Sequence, residues 1–155
     1  MSHMNVEELK IKISELLPGI VFEEGGQWLT INIEPAEWPS LAKQLRNDAN
    51  LYFDFLFCLT CIDWKTHLTM VYHLDSTKFR HNIVVKAKLD VGTPAIETVS
   101  DIWRTAEFHE REVYEMFGVD FINHPDLRLL ILPDGWEGKN PLRKDFEDPI
   151  NMIRL

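Results

Sequence analysis

Residues 55–89, FLFCLTCIDWKTHLTMVYHLDSTKFRHNIVVKAKL, decide the fold. Three runs of strand length stand in it, about 55–64, 68–74 and 82–89. The last alternates Ile83, Val85, Ala87 and Leu89 with Asn82, Val84, Lys86 and Lys88, the period-two pattern of a strand with one buried face. The links between the runs are of hairpin length, so neighbouring runs are expected to pair antiparallel. Cys58 and Cys61 fall inside the first run. Strand positions three apart point to opposite faces, the spacing does not open a helix as a thioredoxin-like dithiol does, and no second pair exists to complete a zinc or iron–sulfur site. The two thiols therefore read as core residues.

Toward the N-terminus, Val6, Leu9, Ile13 and Leu16 recur at helical spacing over 5–17 before Pro18-Gly19 stops them. Residues 20–33 read as a hairpin around Gly25-Gly26. A second helix is expected from Pro35, with Trp38, Leu41, Ala42, Leu45 and Ala49 on one face. Toward the C-terminus, Gly92-Thr93-Pro94 breaks the strand pattern, and 103–117 returns to helix, with Thr105 as N-cap and Gly118 where a left-handed C-cap sits. His124-Pro125-Asp126 then reads as a turn, Leu127–Leu132 as a short apolar element, and 139–155 as an extended tail. The expected class is α+β: a single domain whose largely antiparallel mixed sheet is covered by helices on one face, with an extended C-terminal segment. Residues 1–4 read as a cloning remnant, 5–120 as the globular domain, and 121–155 as a turn followed by an arm.

Composition narrows the function. The chain has 155 residues, is 45% hydrophobic and 26% charged, and carries a net charge of −9. That charge disfavours nucleic acid, whose binding needs clustered Lys and Arg on phosphates, and equally an anionic membrane surface. The longest apolar run, 55–62 with Thr60 inside it, falls well short of the ~20 residues of a spanning helix, and no signal-peptide pattern is expected at the start. Membrane association would be borrowed from another protein of an assembly.

Residues 107–148 combine a high density of charge with Phe108, Val113, Tyr114, Met116, Phe117, Phe121 and the leucines of 127–132. An ion taken out of water costs several kcal/mol unless a counter-charge or hydrogen bonds meet it, so this belt is expected to be a docking surface whose charges await a partner. A hydrolase built on His109 with Glu112 or Glu115 is the competing reading, although no His-Glu-x-x-His pattern completes a zinc site. Glu110 and Glu112 diverge by about 200° on a helix and cannot converge as paired catalytic carboxylates. Phosphate-binding glycine loops and nucleophile motifs are missing.

The run Glu110-Arg111-Glu112-Val113-Tyr114-Glu115-Met116-Phe117-Gly118-Val119, then Phe121, His124-Pro125-Asp126-Leu127-Arg128, Leu132-Pro133, Gly135-Trp136-Glu137-Gly138 and Pro141-Leu142-Arg143-Lys144-Asp145-Phe146, resembles the signature of the C-type subunit of proton-pumping NADH:quinone oxidoreductase, the family that also includes the J-type subunit of plastid NDH. The match departs from the usual pattern at Leu129, where a second arginine is common, at Asn123, often glycine, and at Lys139-Asn140, one residue longer than usual.

The resemblance implies a structural subunit of the hydrophilic peripheral arm. It would bind no cofactor itself, and the FMN, iron–sulfur clusters and quinone of the parent complex would be held by other chains. Its partners would be the D-type subunit and neighbouring iron–sulfur subunits, with no nucleic acid and no direct membrane insertion, at the cytoplasmic side of the inner membrane. The isolated chain could self-associate. Partner interface or motif bracing is implied for Glu110, Arg111, Glu112, Glu115, Phe117, Gly118, His124, Pro125, Asp126 and Arg128, while Arg143, Lys144, Asp145 and the tail would strap along the partner. The same signature suits the homologous subunit of a membrane-bound hydrogenase, an F420-linked dehydrogenase or a ferredoxin-driven quinone reductase.

Overall fold

A computed structural model of the chain describes residues 5–23 and 28–147; the Gly25-Gly26 turn, residues 1–4 and the tail past Glu147 lie outside the described residues. The three runs of the opening stretch are β3 (Phe55–Asp63), β4 (His67–Asp75) and β5 (Asn82–Asp90), paired antiparallel in sequence. Asp63 fixes the first hairpin: its carboxylate accepts the Lys65 N–H at 2.7 Å while Lys65 turns to φ 72°. A register shift between Leu56 and Cys58 bulges β3, so Cys58 faces away from the core and Cys61 into it.

The N-terminal half supplies α1 (Val6–Leu16), β1 (Val21–Glu23), β2 (Thr30–Ile33) and α2 (Trp38–Asn47). Asn5 caps α1 by accepting the Glu8 N–H at 2.9 Å. The second helix starts three residues later than expected: 35–37 form a turn, and Pro39 occupies the first helical turn. β1 and β2 pair antiparallel, but β2 lies parallel to β5, giving the order β1-β2-β5-β4-β3. The parallel pair arises because α2 carries the chain across to the far edge, and the β3-β4-β5 meander then returns to β2. The sheet is mixed and mostly antiparallel.

Leu9 and Ile13 of α1, Trp38, Leu41 and Leu45 of α2, and Val113 and Phe117 of the third helix share one core with Ile31, Val85, Met70, Tyr72 and Leu59 of the strands. The helices therefore cover a single face. Past Asp90 the chain forms β6 (Ala95–Glu97), then α3 (Ala106–Phe117), then β7 (Asp120–Ile122), which pairs parallel with β6. Neither short strand was expected. Thr105 does not cap α3: its backbone is helical and its hydroxyl donates to the Leu56 carbonyl at 2.9 Å, tying the helix start to β3. Gly118 does end α3, at φ 79° with its N–H on the Tyr114 carbonyl. A Cβ there would also lie 2.6 Å from the Asn140 amide nitrogen, so that side chain would have to move as well.

Candidate functional site

α3 carries four charged residues between 110 and 115, and three of them point inward. Arg111 and Glu115, one turn apart, share the face directed at the segment 128–132. Spacing of this kind usually makes an exposed helical ion pair, but here both side chains reach past each other to backbone. Arg111 donates through Nε to the Arg128 carbonyl at 3.1 Å and through Nη2 to the Leu129 carbonyl at 2.7 Å. Glu115 accepts the N–H groups of Leu130, Ile131 and Leu132 at 2.8, 3.0 and 3.2 Å. Successive N–H groups converging on a carboxylate, with a guanidinium fork on the preceding carbonyls, satisfy both ions inside the fold. Of the two roles expected, facing a partner or bracing the motif, Glu110, Arg111 and Glu115 are placed for bracing, since all three are buried; Glu112 is the exposed member of the set.

The clamp fixes which way the loop presents its side chains. With the backbone of 128–132 drawn inward, Leu130 and Ile131 turn out, Ile131 to 65% exposure. Phe108 on α3, Ile122 at the end of β7 and Leu142 are exposed as well. The apolar element expected over 127–132 is thus a loop whose main chain is held, with Leu127 packed on the core and Leu130 and Ile131 displayed. Large aliphatic and aromatic groups held on a satisfied backbone are the anchors of protein interfaces.

Glu110 faces the other way. Its carboxylate accepts the Val99 N–H at 3.0 Å and the Thr98 hydroxyl, with the Tyr72 phenol and Asp101 nearby. Burial pushes its acid up to about 7; the Thr98 and Val99 bonds pull back, and Asp101 adds to the rise. His124 lies 3.7 Å away, with Nδ1 accepting the Asp126 N–H at 3.0 Å and Nε2 3.0 Å from the Glu107 carbonyl. Asp126 in turn holds Arg128 at 2.9 Å, on the surface. His124, Asp126 and Arg128 are brought together in one turn, with Pro125 exposed between them.

The described part of the tail is tied to its own domain. Leu142 N–H donates to the Met116 carbonyl at 3.0 Å, Arg143 Nη2 to the Val91 carbonyl at 3.0 Å, and the Lys144 N–H to Asp63 at 2.9 Å. Burial alone would raise the Asp63 acid, but the N–H groups of Lys144 and Lys65 outweigh it and hold the carboxyl below its usual range. Through Lys144 the arm therefore lies on its own domain, because a buried carboxylate at the end of β3 needs those donors; Asp145 is exposed. Asp63, Thr98 and Asn140 were missed by sequence reasoning. The one available signal was a lone acid closing an otherwise apolar strand.

The Glu115 form of a hydrolytic site on α3 is not available, since both oxygens of Glu115 are taken by Leu130–Leu132 and are not free to work with His109. Among the described residues no group of three or more His, Cys, Asp or Glu is arranged to hold a metal ion.

The profile of the respiratory-chain NADH dehydrogenase 30 kDa subunit family matches residues 31–149. The chain belongs to this family. Within it, the chain is 34% identical over 143 residues to the NADH-quinone oxidoreductase C subunit of Roseiflexus sp., covering 90% of this chain and 80% of that protein. It is 37% identical over 118 residues to the C subunit of Chlorobium phaeobacteroides, covering 74% and 70%. The NADH-quinone oxidoreductase C/D subunit of Phocaeicola vulgatus is 48% identical over 106 residues, covering 67% of this chain but only 20% of that longer protein. Against the C subunit of Chloroherpeton thalassium the chain likewise spans less than half of the relative, 46%. Among solved structures, a chain of the membrane-bound sulfane sulfur reductase, an archaeal respiratory membrane complex, superposes with a TM-score of 0.79 at 27% identity, covering 91% of this chain and 85% of that one. The trypsin-resistant fragment of Nqo5 superposes at 0.67 and 26% identity, covering 80% and 100%.

Proposed function

We propose that this chain is a structural subunit of the peripheral arm of NADH:quinone oxidoreductase, docked on the D-type subunit, and that it supports electron transfer from NADH to quinone coupled to proton translocation. The observation that carries the reading is the clamp: Arg111 and Glu115 commit two buried ions to holding 128–132, and Leu130 and Ile131 stand outward from it. Natural joining of C and D in relatives such as that of Phocaeicola vulgatus supports the D-type protein as the partner. FMN, iron–sulfur clusters and quinone belong to other chains in this reading. No helix among the described residues is long and apolar enough to cross a membrane, which suits a peripheral position on the cytoplasmic side of the inner membrane. The likeness to the sulfane sulfur reductase chain supports a second reading, the equivalent component of a related membrane complex.

Co-expression with the D-type subunit tests the proposal. Ile131→Glu should lower recovery of the C–D pair while leaving the melting temperature of the free chain unchanged, and Arg111→Glu should lower both. Full recovery of the pair with Ile131→Glu would contradict the proposal. The purified chain should also show no iron, flavin or NADH absorbance, and a stoichiometric chromophore would overturn the cofactor-free assignment.

A further inference from the structure

The sheet face turned away from the helices is not the polar face that an antiparallel sheet normally gives to water. Trp28, Phe55, Phe57 and His73 form one ring cluster on it. The Phe57 centroid lies 5.6 Å from that of His73, 6.0 Å from that of Phe55 and 6.4 Å from that of Trp28. Phe55, Phe57 and Trp64 are 41%, 38% and 53% exposed. Val71 and Val84 are buried on this same side, apart from the main core. A shallow depression of about 280 Å3 continues the patch past Ile62 and Trp64 to Lys86 and Lys88.

Size and charge say what covers it. β3, β4 and β5 have nine residues each, so three strands ~4.8 Å apart and ~30 Å long present roughly 400 Å2. That is about half of the ~800 Å2 one partner gives to a standard interface, and β2, Trp28 and Trp64 widen it. In a chain of net charge −9, the β5 row on this face carries Lys86, held by Glu23 at 3.1 Å, and Lys88, which meets no carboxylate among the described residues. A second copy is a poor cover. Lys86 pairs with Val71 at the middle of the β4–β5 ladder, and a two-fold axis over the patch would set Lys86 against its own copy.

We propose that this open sheet face is a second docking surface, taken by a separate protein of the same assembly whose contact region is apolar at its centre and carries carboxylates opposite Lys86 and Lys88. The inference rests on the reading of this chain as one component of a larger complex. Because α3 and its clamp lie on the helical side of the sheet, a partner on one surface leaves the other uncovered, and the chain acts as a bridge between two neighbours.

Thiol labelling of the purified parent complex and of the isolated chain tests it. Cys58 is half-buried on the open face and Cys61 is buried on the core side, so one native thiol reports and the other is the control. Thr60→Cys, exposed on the same face, adds a second reporter, and Ile131→Cys reports on the clamp side. Maleimide should label Cys58 and Thr60→Cys in the isolated chain and at least about tenfold more slowly in the complex. The double variant Lys86→Glu, Lys88→Glu should release one neighbouring protein from the complex while the D-type subunit is retained.

Equal labelling of Thr60→Cys in both samples would overturn the second surface even where Ile131→Cys is protected. Protection of Thr60→Cys with Ile131→Cys freely labelled would instead sink the D-facing reading and leave this one standing. Concentration-dependent protection of Thr60→Cys in the isolated chain, with a dimer in sedimentation, would make the occupant a second copy and overturn the proposal.

Discussion

Glu110 and Glu115 lie five residues apart on one helix, both fully enclosed, and the fold treats them oppositely. Glu115 receives three successive N–H groups of a loop that would otherwise be short of partners. Glu110 receives one N–H and one hydroxyl, with an acidic neighbour in Asp101, and its acid rises to about 7. Burial is common to both. What differs is the number of oriented backbone dipoles aimed at each: three make Glu115 a strut for its loop, while the single N–H on Glu110 leaves burial to dominate its acid.

Removing the strut should have the largest effect. Glu115→Ala strands the N–H groups of Leu130, Ile131 and Leu132, and is expected to cost about 3–5 kcal/mol in chemical denaturation. Glu115→Gln keeps one accepting oxygen and should lose less. Should Glu115→Ala cost under about 1 kcal/mol, the two carboxylates would not differ as described.

The next effect is one of pH. The folded acid of Glu110 is raised from 4.5 to about 7, so the native state holds a proton that the unfolded chain releases. Its contribution to stability is fully present below about pH 4.5 and is lost as pH rises through about 7. The shift corresponds to roughly 3 kcal/mol at most. Glu110→Gln, which is neutral throughout, should flatten this part of the stability curve between pH 5 and 8 and leave the variant the more stable of the two on the alkaline side. An unchanged slope in the variant would assign the titration elsewhere.

Gly118→Ala ranks third. A left-handed φ of 79° and the Asn140 amide at 2.6 Å both oppose the new methyl group, for a loss of about 1–3 kcal/mol. Paired with Asn140→Ala, the loss should shrink toward the backbone part alone, about 1 kcal/mol. Ile131→Glu should be the mildest in stability, within about 0.5 kcal/mol of the parent, because the side chain already stands in solvent.

Much of the fold could be read from the chain. β3, β4, β5 and α1 end within a residue or two of where their periodicity places them: the strands bury one face, and α1 carries its pattern on Leu9 and Ile13 between the Asn5 cap and Pro18-Gly19. The β2–β5 pairing could not be read, since nothing local distinguishes the partner of a four-residue strand, and β6 and β7 are too short to carry a pattern. Gly118 was legible because glycine is the residue that most readily takes the left-handed backbone at a helix end. The site was half legible: the motif located the charges, but Arg111 and Glu115 at i and i+4 look the same in sequence whether they pair with each other, meet another protein or grip their own loop. Leu130 and Ile131 misled in the complementary way. Apolar residues in a row suggest burial, and here it is their backbone that is buried.

The central claim is that buried charge displays an apolar loop for a protein partner. The most direct measurement is the dissociation constant between the purified D-type subunit and this chain, with Ile131→Glu compared against the parent at matched thermal stability. The account predicts at least about tenfold weaker binding with no change in melting temperature. An unchanged dissociation constant would contradict it.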